Sequence, residues 1–396
     1  MSQLPLNILV LTNRVPFPLN DGGNIAIYHM IKFLKDKGHN IQLLSFNTTK
    51  HHQDKTVLDG FVKMETVELN NEMKFSGILR GFFQKLPFFI KRFESEEFQK
   101  KLIHLLKNES FDVVQTETIY MGLYAEIVKQ NSNTKLVLRA HNIESQIWKR
   151  LAKNVVSPFK KIYFSYLAKR IEKFEMEIAT FYDRVIPITQ NDAEFYKSFI
   201  DENKIKSISA GIDFEKYTQY HSQKTVANSI CFLGSLEWQP NIQGLKWFVK
   251  NVIPKLFEIN KSVEFHIAGK NPPADLMHFT EKRIIMHGMV EDAMEFLSKY
   301  EILVVPLLSG SGMRLKVIEA MALKKCIVST TIGSEGINIS SNELALVDEP
   351  HKMAYKINAL LQDENERYRL KTNAYEYVKQ HYDWNNLVAQ FEEVYK

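Results

Sequence analysis

Two series of short apolar runs alternate with helix-length segments along this chain, and the alternation stops near residue 212 and then starts again. The first series is NILVLTN (7–13), NIQLLSF (40–46), FDVVQTE (111–117), KLVLRAH (135–141) and RVIPIT (184–189), with a long helical tract over 143–181. After a short strand KIKSISA and the turn-rich connector GIDFEKY come SICFLGS (229–235), VEFHIAG (263–269), RIIMHGMV (283–290), EILVVPLL (301–308), CIVSTT (326–331) and ELALVD (343–348). Strands apolar on both faces belong to parallel sheets covered by helices, so each series predicts a doubly wound α/β half. The expected architecture is two Rossmann-like domains: residues 1–210 with 381–396 crossing back as a helix, and residues 211–380. Ligands bind such halves beyond the C-terminal strand ends, which predicts a cleft between two facing domains.

A chain of 396 residues, 45% hydrophobic, is long enough for two such cores. Cys231 and Cys326 both fall in apolar strands and read as buried thiols, with no disulfide or zinc pattern. The N-terminal segment reads as a first strand rather than a signal peptide, and no segment approaches the roughly 20 apolar residues of a membrane span. A cytoplasmic protein is expected, at the inner face of the plasma membrane if a segment of it meets lipid.

Charge is unevenly spread. Residues 1–210 hold 30 Lys+Arg against 23 Asp+Glu, and residues 211–396 hold 21 against 23. The segment 74–93 carries Lys74, Arg80, Lys85, Lys91 and Arg92 among six phenylalanines and no acid. Two readings stand side by side: contact with an anionic membrane, or phenylalanines in the core with solvated cations beside them. Zinc-finger spacing and RNA-binding aromatic signatures are absent, so no nucleic-acid partner is expected.

The stretch SGSGMRLKVIEAMA (309–322) joins two strands through a glycine loop and a helix. Backbone amides at a helix N-terminus favour anions, and glycines let a phosphate approach the chain. Arg314 offers a planar fork to phosphate oxygens and Lys316 a second charge, which suits a diphosphate. Glu319, on the first turn or so, could accept two ribose hydroxyls. For a lone glycine loop, Glu319 would more simply be a surface acid paired with Arg314. Asp21, Gly22 and Gly23 open a helix directly after the first strand. Asn191 and Asp192 read equally well as helix caps.

GSGMRLKVIEAMALKKCIVSTTIGSEGI, together with FLGSLEWQPNIQGLKWFV, TNRVPFPLNDGGN, AHNIES and SAGIDFEKY in order, resembles family 4 glycosyltransferases, retaining enzymes of GT-B fold. The resemblance spans essentially the whole chain, and its closest pattern is a subgroup of exopolysaccharide and lipid-linked glycan transferases. It implies that a nucleoside-diphosphate sugar binds the second domain and the acceptor mainly the first. It implies a donor-sugar contact for His141, with Glu144 either orienting His141 or starting a helix. Gly22 and Gly23 become a donor-phosphate or acceptor loop, and Glu335, beside Ser334 and Gly336, a nucleotide contact. Glu319 matches the second of two family glutamates eight positions apart, the ribose ligand; the first falls at Ser311. Ser311 and the amides of Gly312 and Met313, beside Gly310, would then meet the sugar. Gly234 is followed by Ser235, where many relatives have arginine, so Arg314 and Lys316 are expected to hold the diphosphate instead. His51, His52 and His221 are assigned no role.

No Asp-x-Asp occurs, so neither metal nor other cofactor is expected, and leaving-group stabilisation falls to the cations. A catalytically degenerate GT-B protein that binds a glycan or partner is the alternative from another class. A GT-B nucleotide-sugar epimerase needs carboxylates and histidines placed otherwise, and a nicotinamide dehydrogenase lacks its G-x-G-x-x-G.

Overall fold

The computed structural model describes the chain except residues 1–3, 20–21, 71–85, 156, 223, 277–280 and 310–312. It parts into two compact units, Met1–Gly211 with Leu387–Lys396, and Ile212–Asn386. Residues 381–386, expected in the crossing segment, belong with the second unit, where the Ile212 N–H donates to the Tyr382 carbonyl (2.8 Å).

The first unit is built on a parallel six-stranded sheet, ordered β3-β2-β1-β4-β5-β6. Its strands are β1 (Asn7–Thr12), β2 (Asn40–Thr48), β3 (Lys63–Leu69), β4 (Val113–Glu117), β5 (Lys135–Ala140) and β6 (Arg184–Pro187). Ile8, Leu9, Val10 and Leu11 of β1 are fully buried because helices cover both sheet faces. Strand β3, KMETVEL, was not expected. As an edge strand it buries only Val67 fully, so its apolar signal is weak. KIKSISA, in contrast, is no strand: Ile205 makes one isolated bridge to Val185 and the rest is irregular.

The expected helical tract over 143–181 is two helices, Glu144–Asn154 and Pro158–Ala179. Pro158 disfavours helical backbone at Ser157 and suits the first turn of the second helix. Of the segment 74–93, residues up to 85 lie outside the described residues. In the remainder Ile90 and Phe93 are buried, and the Phe89 ring packs 4.5 Å from that of Trp148. Phe93 is core, while Phe89 is half-buried.

The second unit repeats the plan in the order β12-β11-β10-β7-β8-β9. Its strands are β7 (Val226–Leu233), β8 (Glu264–Ala268), β9 (Ile284–Gly288), β10 (Tyr300–Val305), β11 (Cys326–Ser329) and β12 (Ala345–Leu346). Cys231 and Cys326 are buried free thiols, and desolvation pushes both up to about 12. In each unit the strand order reverses once, between β1 and β4 and between β7 and β10. At such a reversal the following loops diverge and leave a crevice at the C-terminal strand ends.

The helix Gln239–Asn251 lies hard against the end of β10, since a Cβ on Gly244 would stand 2.4 Å from the Pro306 carbonyl oxygen. Gly244→Ala should therefore destabilise the protein by about 3 kcal/mol through a backbone clash. A thermal melt should show a midpoint lowered by roughly 5–10 °C; an unchanged midpoint would mean that the helix shifts freely.

Candidate functional site

In the second unit the crevice between β7 and β10 gathers residues far apart in sequence. After β7 the chain turns at Gly234 and Ser235, and Asn241 fills the turn: its Nδ2 donates to the Ser235 carbonyl at 2.8 Å. A Cβ on Gly234 would come within 2.7 Å of that Nδ2, so a side chain there would have to displace the Asn241 amide. The other side of the amide, Oδ1, accepts from Lys316 Nζ at 3.1 Å. Asn241 thus ties the β7 turn to the helix Leu315–Ala322, a role not assigned from sequence although WQPN stood out as a pattern.

Arg314 caps that helix and is buried, its guanidinium 5.4 Å from the Trp238 ring centroid. Lys316 is the second helical residue, 5.3 Å from the Phe232 ring. Two cations at the positive end of a helix dipole are mutually unfavourable without an anion. Accordingly, desolvation first and the Arg314 charge second push Lys316 down to about 7.

Glu319 falls one residue into the second turn rather than on the first. Tyr217 of the connector helix Glu215–Thr218 donates its hydroxyl to Glu319 Oε1 at 3.1 Å. Burial raises the Glu319 carboxyl to about 7, the Tyr217 hydrogen bond working the other way. Met313 is half-buried, and Glu335 caps the short turn Ile332–Ser334 after β11. Gly310, Ser311 and Gly312 lie outside the described residues.

In the first unit the reversal between β1 and β4 opens a cavity of about 410 Å³. Gly23 lines it from the first turn of the helix Gly22–Asp36, whose first residue is Gly22. His141 lines it from the end of β5, joined by the cations Arg14, Lys50 and Arg92 and by His51, which stands 3.5 Å from Arg14. Sequence had given His51 no role. Asp21 lies outside the described residues.

His141 is held by Glu117, the last residue of β4: Nε2 donates to Oε2 at 2.5 Å. The other oxygen, Oε1, accepts from Gln115 Nε2 at 2.6 Å, and Gln115 Oε1 accepts from the Tyr395 hydroxyl at 2.6 Å. Fully buried Arg139 lies 3.9 Å from Glu117 Oε2 and over the Phe391 ring. Burial alone would raise the Glu117 carboxyl, but Arg139 and then His141 outweigh it and hold it below the usual range. An ionised Glu117 fixes the proton on Nε2 and leaves Nδ1 as the other ring nitrogen.

Glu117 therefore orients His141, and Glu144 does not. Glu144 starts its helix and pairs with Tyr120 and Arg92, burial raising its pKa. Between Glu117 and this cluster, Thr118 holds φ 71° and ψ 157°, a conformation costly for any residue but glycine. The signal for this network was present in sequence as polar Gln115 and Glu117 in one buried strand and Arg139 in the next. Each is a group that burial tolerates only when paired.

Comparisons with known proteins bear on both sites. The "Glycosyltransferase Family 4" profile matches residues 20–216, and the "Glycosyl transferases group 1" profile matches residues 227–363. A Klebsiella pneumoniae protein described as an uncharacterised 44.6 kDa protein in the cps region is 24% identical over 95% of this chain and 96% of its own. An uncharacterised glycosyltransferase of Methanocaldococcus jannaschii is 20% identical over 59% of this chain and 66% of its own. Among solved structures, Anabaena HepE in complex with UDP superposes with a TM-score of 0.68 at 15% identity, covering 98% of this chain and 99% of that one. Sucrose-phosphate synthase of Thermosynechococcus elongatus gives 0.67 at 16% identity, with 98% of each chain covered. Profiles meeting the two units in order, and two parallel six-stranded sheets that match these enzymes, lead to one conclusion: the chain belongs to the family 4, group 1 glycosyltransferases and has the GT-B fold.

Proposed function

We propose that the protein is a retaining glycosyltransferase that moves a hexose-type sugar from a nucleoside-diphosphate sugar to a glycan or lipid-linked acceptor in cell-surface polysaccharide synthesis. The observation that carries the reading is the placement of Arg314 and Lys316 at one helix start, where desolvation first and the Arg314 charge second lower Lys316 to about 7. A leaving diphosphate would offset both. As the glycosidic bond breaks, charge grows on the diphosphate, and two fixed cations in a partly dry site stabilise it without a metal. Glu319 receives the ribose hydroxyls, and Gly234, Ser235 and Glu335 border the nucleotide. Ser311, with the amides of Gly312 and Met313 beside Gly310, meets the sugar.

In the first unit, His141 acts at the donor sugar, and Gly22 and Gly23 serve phosphate or acceptor. This division makes the first unit the acceptor side and the second the donor side. Support comes from HepE, solved with UDP and with UDP-glucose, and from the Klebsiella relative in a cps region. No described helix is long and apolar enough to cross a membrane. On this reading a lipid-linked acceptor is met at the inner membrane face through a peripheral contact.

The test is nucleoside diphosphate release from UDP-, GDP- and dTDP-sugars, with and without chelator, alongside titration of each nucleoside diphosphate. Arg314→Ala and Lys316→Ala should each weaken nucleoside diphosphate binding about 10- to 100-fold, the scale of a charge-assisted hydrogen bond. Binding unchanged in both variants would remove the diphosphate clamp. No release and no thermal shift with any donor would leave a glycan-binding protein instead.

A further inference from the structure

The two helices that follow His141 form a hairpin whose outer surface is not core. The helix Glu144–Asn154 begins three residues after His141, and the helix Pro158–Ala179 returns against it. The pair is fastened at the site end, because Glu175 of the second helix accepts the backbone N–H of Glu144 at 2.7 Å. Trp148 anchors the middle, its ring 5.6 Å from Phe164 and 4.5 Å from Phe89.

Beyond these anchors the second helix buries no residue from Pro158 to Tyr166. Phe159 and Ile162 are 86% and 70% exposed, and Tyr166 and Leu151 are exposed as well. Phe159, Ile162 and Tyr166 fall at i, i+3 and i+7, which puts all three on one helical face. Such a face on a surface helix ordinarily turns inward. This one turns out.

The surrounding charge is of one sign. Residues 145–171 contain Lys149, Arg150, Lys153, Lys160, Lys161, Lys169 and Arg170 and no acid. Lys149 reaches Glu172 at 2.5 Å, while Lys153, Lys160 and Lys161 are exposed. An apolar stripe flanked by cations favours a surface whose interior is hydrocarbon and whose rim is anionic. A second copy of this chain would bring like charges together, and an apolar protein groove would leave the lysines without counter-charges.

We propose that this hairpin docks the protein on anionic lipid bilayers, with Phe159, Ile162 and Tyr166 inserting at the headgroup level and the lysines meeting lipid phosphates. The proposal is independent of the reaction assigned above, since it requires no donor or acceptor. It moves the membrane contact from the 74–93 segment to another element of the first unit.

The measurement is co-sedimentation of the full-length protein with vesicles of phosphatidylcholine alone or with 30% phosphatidylglycerol, about 0.3 by mole fraction. Wild-type protein should bind the anionic vesicles at low salt, bind neutral vesicles at least tenfold more weakly, and be released by strong salt. The doubly substituted Phe159→Ser, Ile162→Ser protein should lose about tenfold in partitioning, and the Lys160→Glu, Lys161→Glu protein about 30-fold or more. Both changes are at exposed positions, and circular dichroism melts should match wild type. Wild type remaining in the supernatant would overturn the proposal. So would both variants binding as wild type does, the result expected if 74–93 were the docking element. A dimer in solution that the Phe159→Ser, Ile162→Ser change dissolves, without vesicle binding, would instead identify the face as self-associating.

Discussion

Replacing His141 with alanine should lower kcat by about 100- to 1000-fold while leaving nucleoside diphosphate affinity within a few fold of wild type. The split follows from where the groups lie: His141 is in the first unit, whereas Arg314, Lys316 and Glu319 are in the second. The imidazole contributes through its orientation, which Glu117 fixes at 2.5 Å. Glu117→Gln keeps the side-chain shape but removes the charge, and it leaves Arg139 buried beside a neutral amide. That variant should lose about 10- to 100-fold in kcat, and stability should fall by roughly 3 kcal/mol, because a buried cation without its carboxylate is costly. Steady-state kinetics with a released nucleoside diphosphate readout, paired with thermal melts, separates the two effects. If His141→Ala retained wild-type kcat, the histidine would be structural. Were Glu117→Gln to lose stability but not rate, Glu117 would be a core ion-pair partner rather than a positioning group.

Most of the elements that sequence pattern revealed are buried on both faces. β1 and β10 are nearly continuous apolar runs, and β4 and β5 are as deeply buried although Gln115, Glu117 and Arg139 interrupt them. β3 escaped because Lys63, Glu65 and Glu68 interrupt it on both faces, and only Val67 is deeply buried. The misassigned KIKSISA shows the reverse error, a short run with isoleucines at 205 and 208 but a single isolated bridge, too little to make a strand.

For the sites the boundary is different. Arg314, Lys316 and Glu319 were visible because one loop and one helix carry all three, so spacing along the chain is also spacing in space. The partners were hidden because they come from elsewhere: Asn241 is 75 residues from Lys316 and Tyr217 is 102 from Glu319. Tyr395 reaches Gln115 across 280 residues. Only the fold brings such groups together. A reader of sequence could still have flagged Gln115, Glu117 and Arg139, since ionic groups inside parallel strands need partners.

Nucleoside diphosphate binding should take up close to one proton per molecule bound at about pH 8.5, and its Kd should rise about tenfold per pH unit above 7. Lys316 is the cause, its ammonium lowered by burial and then by the Arg314 charge from 10.5 to about 7. Between those values the unfolded chain holds the proton and the folded one does not. The resulting stability is full above 10.5 and is lost as pH falls through about 7. A diphosphate reverses the preference by adding negative charge beside Lys316, which is then reprotonated on binding; the ligand is already fully ionised there and contributes no proton of its own. Glu319 runs the other way. Its raised carboxyl favours folding below the ordinary 4.5, an advantage lost as pH rises through about 7, and above that it is the ionised acceptor a ribose needs. Affinity should accordingly peak near pH 7. Calorimetry in two buffers of different ionisation enthalpy measures the proton directly, and Lys316→Arg, which stays charged at every working pH, should keep the affinity and lose both the uptake and the slope. Uptake of no proton by the wild type at pH 8.5 would mean that Lys316 does not meet the diphosphate, whatever Arg314 does.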